Sequence, residues 1–191
     1  MSVINPKLHH VTFRTGRLDE MLAWYGLVIG ARVMFRDAVA AWTTNDAANH
    51  RIAFLAVPGL SDDPEKVNHN GVHHTAFEYD DFADLMSSYQ RLKGEGLSPA
   101  FCLDHGLTIS IYYRDPEGNF VELQSDAFGD WKLSSEFVRA PEFAANPIGV
   151  FFDPEKVHAA HVAGAEFAEL HKAIRAGAYQ PAEVPNIGLP G

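Results

Sequence analysis

The segment Leu8-His9-His10-Val11-Thr12-Phe13 decides the fold, because it is echoed 64 residues later by Val72-His73-His74-Thr75-Ala76-Phe77. Each copy is followed by apolar residues at positions i, i+3, i+4 and i+7, a spacing that predicts an amphipathic helix. The stripe consists of Leu18, Met21, Leu22 and Tyr25 in the first copy, and of Phe82, Leu85, Met86 and Tyr89 in the second. A repeat that covers both a strand and a helix indicates two copies of one structural unit.

Three further strand-like segments follow each predicted helix. They are 32–35, 40–43 and 50–57 in the first copy, and 97–102, 107–114 and 119–124 in the second. The sequence therefore predicts an α+β fold of two βαβββ modules, residues 3–60 and 70–125. We expect the two modules to form one domain over residues 1–125, with their sheets curled into a barrel-like structure around a cavity.

Residues 126–191 repeat nothing else in the chain and predict a helical C-terminal extension. Asp153-Pro154 is a typical helix start, and the alanine-rich stretch after it predicts two helices broken near Gly164. The extension carries too many aromatic side chains to be exposed to water, so we expect it to dock on the barrel or across a subunit interface. Residues 180–191 predict an extended or disordered arm.

The composition excludes several classes of function. The chain has 25 acidic and 15 basic residues and a net charge of -10. Such a charge repels phosphate backbones and anionic lipids, which argues against a nucleic-acid or membrane partner. The single cysteine, Cys102, cannot form an internal disulfide, and no apolar stretch is long enough to span a membrane. We therefore expect a cytoplasmic protein that assembles as a homo-oligomer.

Candidate metal ligands lie in the repeated strands and in the last strand of the second module. Neighbouring side chains of a strand face opposite sides, which predicts His10 and His74 on the cavity face and His9 and His73 toward the helices. A lone strand histidine is more often structural. Glu122 either pairs with an arginine or is a third ligand beside two histidines. Two imidazoles and one carboxylate leave open coordination positions, as in non-heme iron oxygenases.

Three strand motifs resemble those of the vicinal oxygen chelate superfamily, whose fold is also called glyoxalase-like. They are Leu8-His9-His10-Val11, Gly71-Val72-His73-His74-Thr75-Ala76-Phe77-Glu78 and Asp115-Pro116-Glu117-Gly118-Asn119-Phe120-Val121-Glu122-Leu123. Within the superfamily the chain resembles the extradiol catechol dioxygenases, particularly the one-domain type that opens 2,3-dihydroxybiphenyl. Segment 143–150 of the extension also resembles the one-domain members, so the resemblance covers nearly the whole chain.

The resemblance implies a metal centre and a reaction. Fe(II), with Mn(II) as the alternative, would be held by His10, His74 and Glu122. The substrates would be O2 and a catechol, such as 2,3-dihydroxybiphenyl, in the degradation of aromatic compounds. Both oxygen atoms would enter the product as the ring opens beside its vicinal hydroxyls.

The resemblance also implies roles for residues outside the ligand set. Segment 49–58 resembles the strand that carries the family's acid–base histidine, which corresponds to His50. Ser110-Ile111-Tyr112 resembles the strand that carries the active-site tyrosine, which implies that Tyr112 donates a hydrogen bond to the substrate. His105, in the loop before that strand, is either a further residue of the site or simply a turn histidine.

Two alternatives come from the same superfamily. The first is a metal-dependent lyase or isomerase of the glyoxalase type. The resemblance implies that such enzymes hold their metal with four protein ligands, one of them a Glu or Gln from the last strand of the first module. Segment 52–57 contains neither residue. A non-enzymatic small-molecule binding protein would not need three metal ligands.

Overall fold

The computed structural model describes residues 3–189, and these residues divide into two compact units. The first unit contains residues 3–64 and 115–118, and the second contains residues 65–114 and 119–189. Within residues 3–189, no helix combines the length and the apolar character that crossing a membrane requires.

The first unit has one helix and a four-stranded sheet. Its elements are β1 (Val11–Thr15), α1 (Leu18–Ile29), β2 (Arg32–Arg36), β3 (Ala40–Thr44) and β4 (Ile52–Ala56), with strand order β1-β4-β3-β2. Helix α1 packs against the parallel β1–β4 pair through the buried side chain of Tyr25. The Tyr25 ring contacts those of Phe13 and Phe54. The apolar stripe predicted for this helix is confirmed.

The second unit repeats this arrangement and adds the extension. Its first elements are a 3-10 turn (Lys66–Asn68), β5 (His74–Tyr79), α2 (Phe82–Gly94), β6 (Phe101–Asp104), β7 (Thr108–Arg114) and β8 (Phe120–Asp126). The extension adds α3 (Trp131–Phe137), α4 (Pro141–Ala145), β9 (Val150–Phe151), α5 (Pro154–Val162) and α6 (Phe167–Arg175). The strand order is β5-β8-β7-β6-β9, with β5 parallel to β8. The predicted α+β fold with two βαβββ modules is thereby confirmed.

The prediction that both histidines of each repeated pair lie within a strand is wrong for three of the four. His9 and His10 precede β1, because the pairing of β1 with β4 begins at Val11. His73 precedes β5, whose first paired residue is His74. The predicted alternation still holds inside the strands, since exposed and partly buried side chains alternate from the start of β1 and along β5.

Two other predicted strands begin too early. His50 lies outside β4, because the hydrogen bonds to β3 and β1 start at Arg51, whose N–H binds Thr43 and whose carbonyl accepts from Val11. The strand predicted from residue 97 begins at Phe101 instead. Pro99 has no N–H to donate, and pairing with β7 follows only after it.

The extension docks on the edge of the second sheet, as predicted. Strand β9 pairs antiparallel with β6, and the two helices near Gly164 are α5 and α6. Four side chains from this region are at most 2% exposed, namely Phe152, Val157, Leu170 and Ile174. The extension therefore contributes to the core of the second unit.

A close backbone contact joins the extension to β6. Gly149 has a φ of +100°, and a Cβ atom at this position would lie 2.1 Å from the carbonyl oxygen of Asp104. Gly164 has a similar φ of +97° but no atom within 4 Å of an added Cβ. The two glycines therefore separate the effect of backbone conformation from that of the close contact.

We expect Gly149→Ala to lower the free energy of unfolding by at least about 3 kcal/mol, because the added methyl group must displace β9 from β6. The control Gly164→Ala should cost about 1–2 kcal/mol, the conformational penalty alone. Urea unfolding of both variants measures the difference. Equal losses would show that the contact at Asp104 does not hold the extension in place.

Candidate active site

One face of the second sheet gathers most of the candidate site residues. Strand register places His74 beside Phe120 and Glu122 opposite Tyr112, so His74, Glu122 and Tyr112 share a face. Helix α2 covers the opposite face, where the Tyr79 hydroxyl donates to Ser88 of that helix. The side chains of these candidate residues are thus held by the period-2 alternation of β5, β7 and β8.

Glu122 is a buried carboxylate whose charge is compensated by hydrogen bonds. Its residue exposure is 4%, and its Oε2 lies 3.0 Å from Nε2 of His74. Burial raises the pKa of Glu122, but hydrogen bonds from His74, Ser110 and Tyr112 together outweigh burial and lower it below its usual value of 4.5. Glu122 is therefore ionised at neutral pH. In residues 3–189 its ion-pair partners are histidines, so the alternative of an arginine partner is wrong.

His105 and Tyr112 lie beside this carboxylate. Nε2 of His105 is 3.0 Å from the Tyr112 hydroxyl and 4.0 Å from Oε1 of Glu122. Burial raises the pKa of Tyr112, with a further contribution from the Glu122 charge, so the phenol keeps its proton. Burial lowers the pKa of His105. His105 lies in the turn between β6 and β7, and its ring nevertheless lies beside Tyr112 and Glu122.

Sequence reasoning missed the residues that support this arrangement. Ser110 lies two residues before Tyr112 on β7, so strand alternation places both side chains on the same face and could have identified Ser110. The His105 ring also hydrogen-bonds to the backbone of Ile148 in the extension, and Arg175 of α6 donates to the carbonyl of Asp104. No local pattern indicates these last two contacts, because they join segments distant in sequence.

The first unit has its own cluster of three histidines. His9, His10 and His50 each offer a ring nitrogen, and these atoms lie within 4.8 Å of one another. The ring centroids of His10 and His50 are 4.5 Å apart, and the His50 ring stacks on Trp42 at 5.7 Å. Burial lowers the pKa of His50, and the nearby His10 and His9 lower it further. His50 is thus a half-buried neighbour of His10.

The donor atoms at His74 and Glu122 suit a divalent metal ion. Imidazole nitrogen and carboxylate oxygen are both donor types that divalent transition metals accept, and here one of each lies side by side on the same sheet face. The imidazole cluster of the first unit offers a second set of suitable donors.

Comparisons with known proteins agree with this geometry. Residues 7–123 match the sequence profile of the Glyoxalase/Bleomycin resistance protein/Dioxygenase superfamily. Biphenyl-2,3-diol 1,2-dioxygenase 2 of Rhodococcus globerulus is 39% identical over 159 residues, which are 83% of this chain and 83% of that protein. Biphenyl-2,3-diol 1,2-dioxygenase 3 of the same organism is 36% identical over 168 residues, covering 87% of this chain and 88% of that protein.

Solved structures agree at the level of the fold. A glyoxylase/bleomycin resistance protein/dioxygenase domain from Frankia sp. EAN1pec superposes with a TM-score of 0.53 at 17% identity, covering 64% of this chain and 99% of that chain. The resemblance predicted from the strand motifs is thereby confirmed. The chain belongs to the Glyoxalase/Bleomycin resistance protein/Dioxygenase superfamily.

Proposed function

We propose that the protein is an extradiol dioxygenase, which opens a catechol ring beside its two hydroxyl groups and inserts both atoms of O2. The observation that carries this proposal is the buried Glu122 carboxylate, which is hydrogen-bonded to His74 and Tyr112 on one sheet face. The identity of 39% to a biphenyl-2,3-diol 1,2-dioxygenase supports it.

We propose Fe(II) as the metal, with Mn(II) as the alternative, and His10, His74 and Glu122 as its ligands. His10 belongs to the first unit, so this set requires the two modules to form the barrel-like, metal-enclosing sheet expected from the sequence. When bound, a ferrous ion would supply the redox chemistry by which a catechol reacts with O2. Because only one of the proposed ligands is negatively charged, the metal centre would keep enough positive charge to bind an anionic catecholate.

The remaining residues handle protons and hydrogen bonds. His50 lies beside His10 and outside the proposed ligand set, so its imidazole would accept and return the protons of the catechol hydroxyls. Tyr112 would donate its hydroxyl proton in a hydrogen bond to the substrate. His105, at hydrogen-bond distance from the Tyr112 hydroxyl, would orient it.

The proposed substrate is 2,3-dihydroxybiphenyl or a related catechol. Beside Tyr112 lie the apolar side chains of Phe101, Leu103 and Phe120, which form one cluster with it. Aromatic and aliphatic side chains of this kind bind an aromatic ring while a few polar groups fix its orientation.

We expect Glu122→Ala to bind Fe(II) more than about tenfold more weakly and to show no ring cleavage, because the anionic ligand is lost. The control is Glu78→Ala, which removes an exposed carboxylate from the same face of the neighbouring strand. Iron content and circular dichroism of both variants check the result. Full iron occupancy in folded Glu122→Ala would remove this residue from the ligand set.

We expect His50→Gln to keep its iron while kcat falls by about a hundredfold or more, because glutamine cannot exchange a proton at neutral pH. Oxygen uptake with 2,3-dihydroxybiphenyl, measured beside iron content, tests this. Turnover near that of the wild type at full iron occupancy would exclude His50 as the acid–base residue.

The same two variants distinguish the alternative metal set. If His9, His10 and His50 of the first unit held the ion, His50→Gln would lose iron and Glu122→Ala would retain it. The proposed set predicts the reverse for both variants. Iron analysis therefore separates the two centres without relying on activity.

A further inference from the structure

The C-terminal arm returns to the sheet face that carries Glu122. Ile187 packs against the apolar cluster of Phe101, Leu103, Tyr112 and Phe120, whose members are all at most 5% exposed. The carbonyl oxygen of Ile187 lies 2.8 Å from Nε2 of His73. The arm is thus attached beside the proposed metal ligand His74.

Strand register shows that this cluster borders the proposed ligands. Phe101 is paired with Tyr112, and Tyr112 with Glu122, so these three side chains share one face. Phe120 is paired with His74 on that same face. Ile187 therefore packs on apolar side chains that directly border His74 and Glu122 on this face.

The arm fits closely at this point. Gly188 has a φ of +73°, and a Cβ atom there would lie 2.5 Å from the Phe120 ring. Ile187 is partly buried, whereas Val184, three residues earlier, is 83% exposed. The contact is therefore specific to residues 187–188 rather than a general property of the arm.

We propose that Ile187 determines substrate specificity, by filling the apolar space beside the ligands and limiting the size of the hydrophobic substituent that a catechol can carry. This inference rests on the proposed function. A catechol with its hydroxyls at the ligands would expose its substituent to neighbouring side chains. On this face of the second unit the apolar side chains beside the ligands are the cluster of Phe101, Leu103, Tyr112 and Phe120, against which Ile187 packs. Shortening Ile187 would leave space that only a bulky substituent can use.

The test compares kcat/KM for 2,3-dihydroxybiphenyl with kcat/KM for unsubstituted catechol in iron-loaded protein. Ile187→Ala should raise the ratio of kcat/KM for 2,3-dihydroxybiphenyl to kcat/KM for catechol about tenfold. Ile187→Val should raise this ratio by a smaller factor. The matched control Val184→Ala should leave the ratio unchanged. A role in stability alone would lower both values together and leave the ratio constant in all variants, which would overturn the proposal.

A second measurement uses metal-free protein and does not depend on turnover. Calorimetric titration measures the affinities for 2-hydroxybiphenyl and for phenol. The affinity ratio in favour of the larger ligand should rise from wild type to Ile187→Val to Ile187→Ala. An unchanged preference would contradict the role of Ile187. If the iron-loaded wild type opens no catechol, the proposed function fails, and the titration alone then decides the role of the arm.

Discussion

The burial of the Glu122 carboxylate determines which side chains must surround it on the second sheet. A carboxylate that is 4% exposed is costly to keep ionised unless hydrogen bonds replace its lost water. His74, Tyr112 and Ser110 supply those bonds, and each comes from a strand, β5 or β7, that is paired in register with β8. The alternation of the strands thus brings these polar groups to one place on the sheet face. A divalent cation bound there would satisfy the same charge directly.

The extension supports this site as well as the core of the second unit. Strand β9 lies on β6, and Arg175 of α6 donates to the Asp104 carbonyl at the start of the turn that carries His105. The backbone of Ile148 hydrogen-bonds to the His105 ring, and Gly149 allows the close approach that this contact needs. The position of His105 beside Tyr112 therefore depends on residues that lie far along the chain.

The two modules could be predicted because their pattern is local. The apolar stripes of α1 and α2 and the alternation along β1 and β5 can be read directly from neighbouring residues. The first paired residue of a strand depends on its partner, so the local pattern alone places His10 and His50 wrongly inside strands. Contacts such as Ile187 with Phe120 join segments far apart, and no spacing in the sequence predicts them. The sequence indicates either an arginine or a metal shared with two histidines as the partner of Glu122, and neither alternative predicts its direct contact with His74.

An extradiol dioxygenase adds both atoms of O2 to a catechol. The most direct measurement is turnover of 2,3-dihydroxybiphenyl under isotopically labelled O2, with oxygen consumption followed beside mass analysis of the product. We expect one O2 to be consumed per catechol and both labelled atoms to appear in a ring-opened product. A product formed without oxygen uptake, or one with an intact ring, would contradict the dioxygenase function and point to a lyase or isomerase of the same superfamily.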